Sequence, residues 1–338
     1  MSIRLAVLGA TGLVGRTMLD LLEQRAFPSV SARLLASDRS AERTLRFQGR
    51  ELPVEPVTER SFDGIDLALF ASRNEVSLRW APVARAAGAR VVDNSSAFRY
   101  QDEIPLVVPE VNAERLEGRP DLVANPNCST IAIVVALAAL DRAARLERVT
   151  VATYQSVSGA GSEALEELER GIRAGLDGPP PPRTDGGPAF AFNVVPQIDR
   201  FESNGYTREE MKVLWETRKI LGRPELPVSA TAVRVPVRVG HCAAVNVTLE
   251  RAVEPDEARR LWAAFPGLEV VDDPEAGRYP TPLLAAGRDP VLVGRCRRDL
   301  SQARGLEFFV ASDNLRKGAA LNAVQIAEYL CRVEAGAR

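Results

Sequence analysis

Residues 3–16 read Ile3-Arg-Leu-Ala-Val-Leu-Gly9-Ala-Thr-Gly12-Leu-Val-Gly15-Arg16. The run Ile3–Leu8 is apolar at every position but one and predicts a short buried strand. Glycines at 9, 12 and 15 make a turn, and Arg16–Gln24 reads as a helix. Glycine allows a tight turn and close approach of backbone to a phosphate, and a helix N-terminus favours an anion. The spacing is GxxGxxG rather than GxGxxG. Its weight therefore comes from its place between strand and helix. The alternative is a turn whose glycines serve packing only.

Working outward, Ala32–Ala36, Leu67–Ala71 and Arg90–Asp93 are further short apolar runs, with a helical stretch at Val76–Ala87. Strands alternating with helices predict an α/β fold with a doubly wound, Rossmann-type parallel sheet. This domain runs to about Asn125–Ser129. A helix from Ser129 to Arg145, apolar on nearly every face near its start, is expected to be buried. Beyond it Arg148–Val157, Ser229–Val239, Ala243–Glu250 and Leu306–Ala311 predict the mixed sheet of a second, α+β domain. Pro179–Pro182, with glycines on either side, marks an exposed loop or arm. A last helix, Lys317–Arg332, has one apolar face that needs a partner surface.

Composition narrows the function. The 338 residues are 46% hydrophobic, enough for more than one core, with a formal net charge of −2. No general affinity for nucleic acid or an anionic membrane is implied. The longest apolar run, Ile131–Leu140, is too short to span a bilayer. Four cysteines without CxxC spacing and a single histidine argue against a metal site or a disulfide framework. A reducing, cytoplasmic setting is expected, and no signal peptide is read at the N-terminus.

Two residues carry candidate chemistry. Cys128, in Asn125-Pro-Asn-Cys-Ser-Thr130, falls at the start of the apolar helix. Free N–H groups and the helix dipole there favour a thiolate and can stabilise an oxyanion. Cys242, Cys296 and Cys331 lack that setting and read as structural. His241, the only histidine, is read as ending the strand of alternating valines 233–239, and imidazole suits proton exchange near neutral pH. Gln155 ends the apolar face of Val149, Val151 and Thr153, and Ser158-Gly-Ala-Gly161 follows as a close-approach loop. At the end of the second strand stands Ser37-Asp38-Arg39-Ser40. An acid there favours NAD, whereas Arg39 with Ser37 and Ser40 suits the 2′-phosphate of NADP. NADP is the reading taken, with Asp38 solvated.

The segments GATGLVG, DNSSAFR (Asp93–Arg99), NPNCST, YQSVSGAG (Tyr154–Gly161), EEMKVLWETRKIL (Glu209–Leu221), RVPVRVGH (Arg234–His241) and SDNLRKGAALNAVQIAE (Ser312–Glu328) resemble, in order, those of bacterial aspartate-β-semialdehyde dehydrogenases nearly end to end. The resemblance implies a cysteine nucleophile at Cys128 and an acid/base at His241. It implies an oxyanion or phosphate contact from Asn127 and an orienting role for Gln155. It implies that Arg99 and Lys212 hold phosphate, Arg234 the α-carboxylate and Glu209 the α-ammonium. Cofactor contacts would come from Gly9, Thr11, Gly12, Leu13, Val14, Ser37, Arg39, Ser40, Ser158, Gly159 and Asn314. The implied reaction is reversible: aspartyl phosphate and NADPH give aspartate semialdehyde, NADP⁺ and inorganic phosphate, through a thioacyl-enzyme. This is a step toward lysine, diaminopimelate, threonine and methionine. A homodimer is implied, as is a nucleotide domain of residues 1–128 rejoined by 314–338, with a catalytic and dimerisation domain at 129–313. Departures are Cys242 and Ala243, where the family usually has serine and an acid. The related N-acetyl-γ-glutamyl-phosphate reductases typically carry PGCYPT at the cysteine, unlike NPNCST. A non-catalytic scaffold relative would be expected to lose the cysteine or the histidine.

Overall fold

The computed structural model describes residues 3–40 and 43–336, which form two compact units, Met1–Asn127 with Ala319–Arg338, and Cys128–Gly318. The first unit begins with β1 (Ile3–Leu8), α1 (Leu13–Gln24) and β2 (Ser29–Ala36). A hairpin of β3 (Thr44–Phe47) and β4 (Arg50–Pro56) follows, then β5 (Leu67–Phe70), α2 (Asn74–Ala86) and β6 (Arg90–Asp93). The short α3 (Pro109–Asn112) and β7 (Leu122–Ala124) complete this run. The strands form one sheet in the order β3-β4-β2-β1-β5-β6-β7, parallel except at the β3–β4 hairpin. The chain leaves β1 first toward β2 and later returns to its other side at β5. That reversal of strand order, at the carboxyl end of β1, is where open α/β sheets leave a crevice.

The turn in that crevice explains its own glycines. Gly9 has φ +86°, and a Cβ there would stand 2.3 Å from the Ala71 carbonyl oxygen. A Cβ on Gly15 would stand 2.2 Å from the Gly9 carbonyl oxygen. Both positions exclude any side chain. Gly12 is the N-cap of α1, which has no side-chain cap and no acid in its first turn. Packing thus demands two of the glycines and leaves the helix N-terminus bare.

The second unit opens with α4 (Cys128–Ala144) and β8 (Leu146–Gln155), followed by α5 (Ser162–Ala174), α6 (Arg208–Leu221) and β9 (Val228–Arg234). Then come β10 (His241–Leu249), α7 (Pro255–Ala263), β11 (Leu268–Val270), α8 (Pro282–Ala285), β12 (Val291–Arg298) and β13 (Gly305–Ser312). Its six-stranded mixed sheet has the order β11-β12-β13-β10-β8-β9. The helix α4 is buried along most of its length, as its lack of a polar stripe requires. It packs against α6, α7 and the sheet. The strand expected over Ser229–Val239 stops at Arg234. Pro236 has no N–H for a ladder, and Gly240 at φ +98° turns the chain into β10. His241 therefore opens the next strand instead of closing the valine strand.

The last helix, α9 (Leu321–Gly336), is preceded by a π-helical turn at Arg316–Ala320. Its apolar face, with Leu321, Val324, Ala327 and Leu330, joins the core built by Leu5, Val7, Met18 and Leu22 of the first unit. Among the described residues no helix is long and apolar enough to cross a membrane.

Candidate active site

In the second unit, sheet register brings together residues far apart in sequence. Gln155, the last residue of β8, pairs with Arg234, the last of β9. On the other side, Tyr154 pairs with Cys242. His241 precedes Cys242 at that same end of the sheet, with its Nδ1 3.0 Å from the Ser156 backbone nitrogen. Arg234, Gln155 and His241 are thus grouped at one end of three strands, on the face that also carries buried Thr153 and Ala243.

Each member is held by buried contacts. The backbone N–H of Ser156 donates to Nδ1 of His241 at 3.0 Å. The Ser156 carbonyl accepts from Nη1 of Arg234 at 2.6 Å. Gln155 Nε2 donates to Glu209 Oε1 at 3.3 Å. Glu209 lies on α6, whose start is set by Thr207: its hydroxyl accepts from the Glu210 N–H, and Glu210 returns a carboxylate oxygen to the Thr207 N–H. One turn along, Lys212 Nζ bridges Glu209 Oε2 and Asp199 Oδ2, each at 2.9 Å.

The charge balance follows from burial. Burial opposes the Lys212 ammonium, but Glu209 and Asp199 more than offset it and hold its pKa above the ordinary lysine value. Arg234 is pulled below its usual value by burial, with Glu209 and the Cys128 sulfur acting in the opposite sense and Arg183 adding to the depression. His241, 2% exposed, is pushed down to about 3 by burial and then by Arg234, with Glu209 opposing. Its ring is neutral at physiological pH. Its Nε2 has no hydrogen-bond partner among the described residues. A Cβ placed on Gly159 would lie 3.0 Å from that nitrogen and 3.1 Å from Arg234 Nη1. The absence of a side chain at 159 is what leaves space in front of both groups.

Cys128 is the first residue of α4 and is partly exposed. A Cβ on Gly318 would come within 3.1 Å of Cys128 Cβ, so the π-helical turn lies directly against the cysteine. Cys242 and Cys296 are buried, with their thiols pushed up to about 12 by burial. They fit the structural reading. Cys242 packs with Ala285, Leu292 and Ala311, on the face of β10 opposite to His241. Asn314 Oδ1 accepts from the Gly240 N–H at 2.9 Å and from the Ser156 hydroxyl at 3.0 Å, while its Nδ2 donates to Ser158 Oγ at 2.9 Å.

A cavity of about 530 Å³ adjoins Arg234 and is walled by Arg183, Phe190, Val195, Ile198 and Asp199. The segment that follows the Pro179–Pro182 run, from Arg183 to Phe190, forms one side of it. Arg183 stacks on Phe190 at 4.6 Å and pairs with Asp185, and the Thr184 N–H donates to Glu167 of α5 at 2.8 Å.

The remaining nominated residues lie in the first unit. Arg99 is buried, and its Nη2 donates to the Asn94 carbonyl at 2.7 Å. Its loop is anchored by Asp93, which accepts from Ser77 and Ser95 hydroxyls and whose pKa burial raises. Asn127 is buried, two residues after Asn125, which donates to Asn94 Oδ1 and accepts from Asn322. Thr11, Gly12, Leu13 and Val14 follow β1, partly or fully exposed, and Ser37, Arg39 and Ser40 follow β2 in or beside a short 3-10 turn. Asp38 is exposed in the same turn.

Three groups at the site were not nominated from sequence. Ser156 acts through its backbone, which side-chain reasoning does not see. Asp199 pairs with Lys212 across thirteen residues with no spacing to announce it. Gly318 matters only because tertiary packing puts it against Cys128.

A parallel nucleotide-type sheet, coupled in sequence to a mixed-sheet unit with a thiol, a buried imidazole and charged partners, defines an oxidoreductase of the semialdehyde dehydrogenase class. The family description "Semialdehyde dehydrogenase, NAD binding domain" matches residues 4–119, and "Semialdehyde dehydrogenase, dimerisation domain" matches residues 137–317. Aspartate-semialdehyde dehydrogenase of Legionella pneumophila is 49% identical over 98% of this chain and 96% of its own length. That of Aquifex aeolicus is 47% identical over 98% and 99%. The crystal structure of aspartate semialdehyde dehydrogenase II of Vibrio cholerae complexed with ASA has TM-score 0.95 and 45% identity, covering 98% of this chain and 99% of that one. The chain belongs to the aspartate-semialdehyde dehydrogenase family.

Proposed function

We propose that the protein catalyses the NADP-dependent, reversible reductive dephosphorylation of aspartyl-β-phosphate to aspartate semialdehyde and inorganic phosphate, in amino-acid biosynthesis. The observation that carries this reading is the grouping of Arg234, Gln155 and His241 at one end of the sheet beside Glu209 and Lys212. A carboxylate-binding guanidinium, an ammonium-binding carboxylate and a thiol are what a short amino-acid acyl donor needs.

Cys128 is the nucleophile. Its sulfur attacks the acyl carbon, phosphate leaves with the bonding pair, and a thioester links substrate and enzyme. Splitting the reaction this way keeps each barrier low. Asn127 and the first N–H groups of α4 stabilise the oxyanion. Arg234 binds the α-carboxylate in a two-pronged contact and Glu209 the α-ammonium. Arg99 and Lys212 hold phosphate, and Gln155 orients the acyl group through its bond to Glu209. His241 is the acid/base at the substrate oxygen.

The cofactor fits the residues present. Gly9 and Gly15 leave no room for side chains in the first turn, and Thr11, Gly12, Leu13 and Val14 at the uncapped start of α1 suit a diphosphate. Ser37, Arg39 and Ser40 would take the 2′-phosphate, with Asp38 turned to solvent. Ser158, Gly159 and Asn314 would hold the nicotinamide end. When bound, the nicotinamide exchanges hydride with the acyl carbon. The first domain is then 1–128 with 314–338, and the second, 129–313, serves catalysis and homodimer formation. A reducing cytoplasm suits a thiol nucleophile.

The test is spectrophotometric: NADPH formation with aspartate semialdehyde, phosphate and NADP⁺, repeated without phosphate and with NAD⁺. Phosphate-dependent NADPH formation, lost in Cys128→Ala, is the expected result. Turnover with N-acetylglutamate semialdehyde instead would move the assignment to the related reductase.

A further inference from the structure

The end of β13 puts two adjacent side chains to different uses. Ser312 pairs with His241 across the ladder, and Asn314 accepts from the Gly240 N–H and the Ser156 hydroxyl beside the imidazole. Between them stands Asp313, which is buried. Its Oδ1 accepts from the N–H groups of Leu315 at 2.8 Å and Arg316 at 3.0 Å, and its Oδ2 from that of Gly287 at 2.7 Å. Its own carbonyl accepts from the Gly318 N–H at 3.1 Å. Three donors shared over two oxygens call for a carboxylate. An amide would keep one acceptor oxygen and set an NH₂ group against a donor.

These bonds fix the entry to the π-helical turn that begins at Arg316. Such turns are uncommon and recur at functional sites. A second anchor comes from the Arg316 side chain, whose Nε donates to Asp289 Oδ1 at 2.8 Å. Gly287 and Asp289 lie just after α8, and the first residue of α8, Pro282, packs its backbone on Gly240. A Cβ on Gly240 would stand 2.8 Å from the Pro282 carbonyl oxygen. The stretch from Pro282 to Asp289 therefore touches the residue before His241 at one end and braces the turn beside Cys128 at the other. At Gly318 the turn meets the cysteine: a Cβ there would lie 3.1 Å from Cys128 Cβ, 3.2 Å from its carbonyl oxygen and 3.4 Å from its Cα. The glycine backbone is thus a wall of the space that the Cys128 side chain occupies.

We propose that Asp313 is a positioning residue for the nucleophile: by fixing the turn, and through Gly318, it holds Cys128 where its sulfur reacts. The inference rests on Cys128 being the nucleophile of the reaction proposed above. Asp313 makes and breaks no bond in that reaction. With Asn314 beside it holding the surroundings of His241, one dipeptide aligns the thiol with the imidazole.

The test is made on folded variants, checked by thermal melt. Asp313→Ala should lower kcat about tenfold to a hundredfold, with KM for aspartate semialdehyde within about twofold, because Arg234 and Glu209 are held by other contacts. A raised KM with unchanged kcat would overturn the proposal. Gly318→Ala crowds the same contact from the other side. In the double variant the two losses should overlap, leaving kcat at least about threefold above the product of the single effects. Simple multiplication would mean that Asp313 acts elsewhere. Alkylation of Cys128 by iodoacetamide, followed by peptide mass spectrometry without substrate or cofactor, should slow about threefold to tenfold at pH 7 in Asp313→Ala, because a displaced sulfur leaves the N–H groups at the start of α4. An equal or faster rate would refute the positioning role. If Asp313→Ala does not fold, Asp313→Asn carries the same readouts, with kcat lowered at least about threefold. An inactive wild type would count against the proposed reaction, while the alkylation rates would still judge Asp313.

Discussion

Gly159→Ala adds one methyl group between His241 and Arg234. The new Cβ would lie 3.0 Å from His241 Nε2, 3.1 Å from His241 Cε1 and 3.1 Å from Arg234 Nη1. Ordinary contacts start several tenths of an ångström further out. Neither neighbour retreats freely: the ring is held at Nδ1 by Ser156, and the guanidinium by the Ser156 carbonyl. The methyl also fills the volume in front of Nε2 that the substrate oxygen has to enter. Misplacement of reacting groups by about 1 Å costs about a hundredfold in rate, so a shift of a few tenths with partial blockage should cost kcat about tenfold to a hundredfold. The right-handed 3-10 turn accepts alanine, but overpacking against two held, buried groups should cost about 1 to 3 kcal/mol of stability. The assay is NADPH formation at saturating aspartate semialdehyde and phosphate, run beside a thermal melt. Turnover within twofold of wild type would refute the placement of His241 and Arg234 around Gly159.

Three further outcomes follow from the same geometry. His241 has a folded pKa of about 3 against an ordinary 6.5, so between those values the unfolded chain binds the extra proton and stability is lost as pH falls; relative to a His241→Gln variant, wild type should lose about 2 kcal/mol more between pH 8 and pH 5, read by urea unfolding, and equal losses would mean the buried ring titrates normally. Thr207→Ala removes the cap of the helix carrying Glu209 and Lys212; unfolding should show about 1 kcal/mol of destabilisation and kinetics a raised KM for aspartate semialdehyde, whereas unchanged values for both would count against the capping box as the anchor of that helix. Arg39→Ala should reduce the preference for NADP⁺ over NAD⁺ by about tenfold to a hundredfold in kcat/KM, and an unaltered ratio would assign the 2′-phosphate to another group.

Much of the architecture was readable from local pattern. The strand at Ile3–Leu8, the glycine turn and the helix after it are dictated by short-range periodicity and by backbone freedom at glycine, so they could be placed from the sequence. The buried helix beginning at Cys128 was legible for the same reason: thirteen residues of it carry almost no polar face. The β3–β4 hairpin and β12 were not nominated. Their alternation is broken by Glu, Arg and Pro on exposed positions, and their pairing is supplied by neighbours distant in sequence. The valine strand overran its true end because alternation continues through Pro236, where hydrogen bonding cannot.

The residue types at the candidate site were visible in the sequence because a lone histidine, a cysteine at a helix start and an arginine in an apolar strand each conflict with their surroundings. Their assembly was not. Gln155, Arg234 and His241 meet only because β9 and β10 flank β8 in one register, and register is a property of paired strands, not of any one of them. The hydrogen bond at Nδ1 of His241 comes from a backbone N–H 85 residues away, and the neutrality of the ring from its burial in the second unit. Sequence by itself determined which side chains are candidates for the chemistry; the tertiary structure decided which of them lie together and how they are buried and hydrogen-bonded, because desolvation and hydrogen-bond direction exist only once the chain is packed.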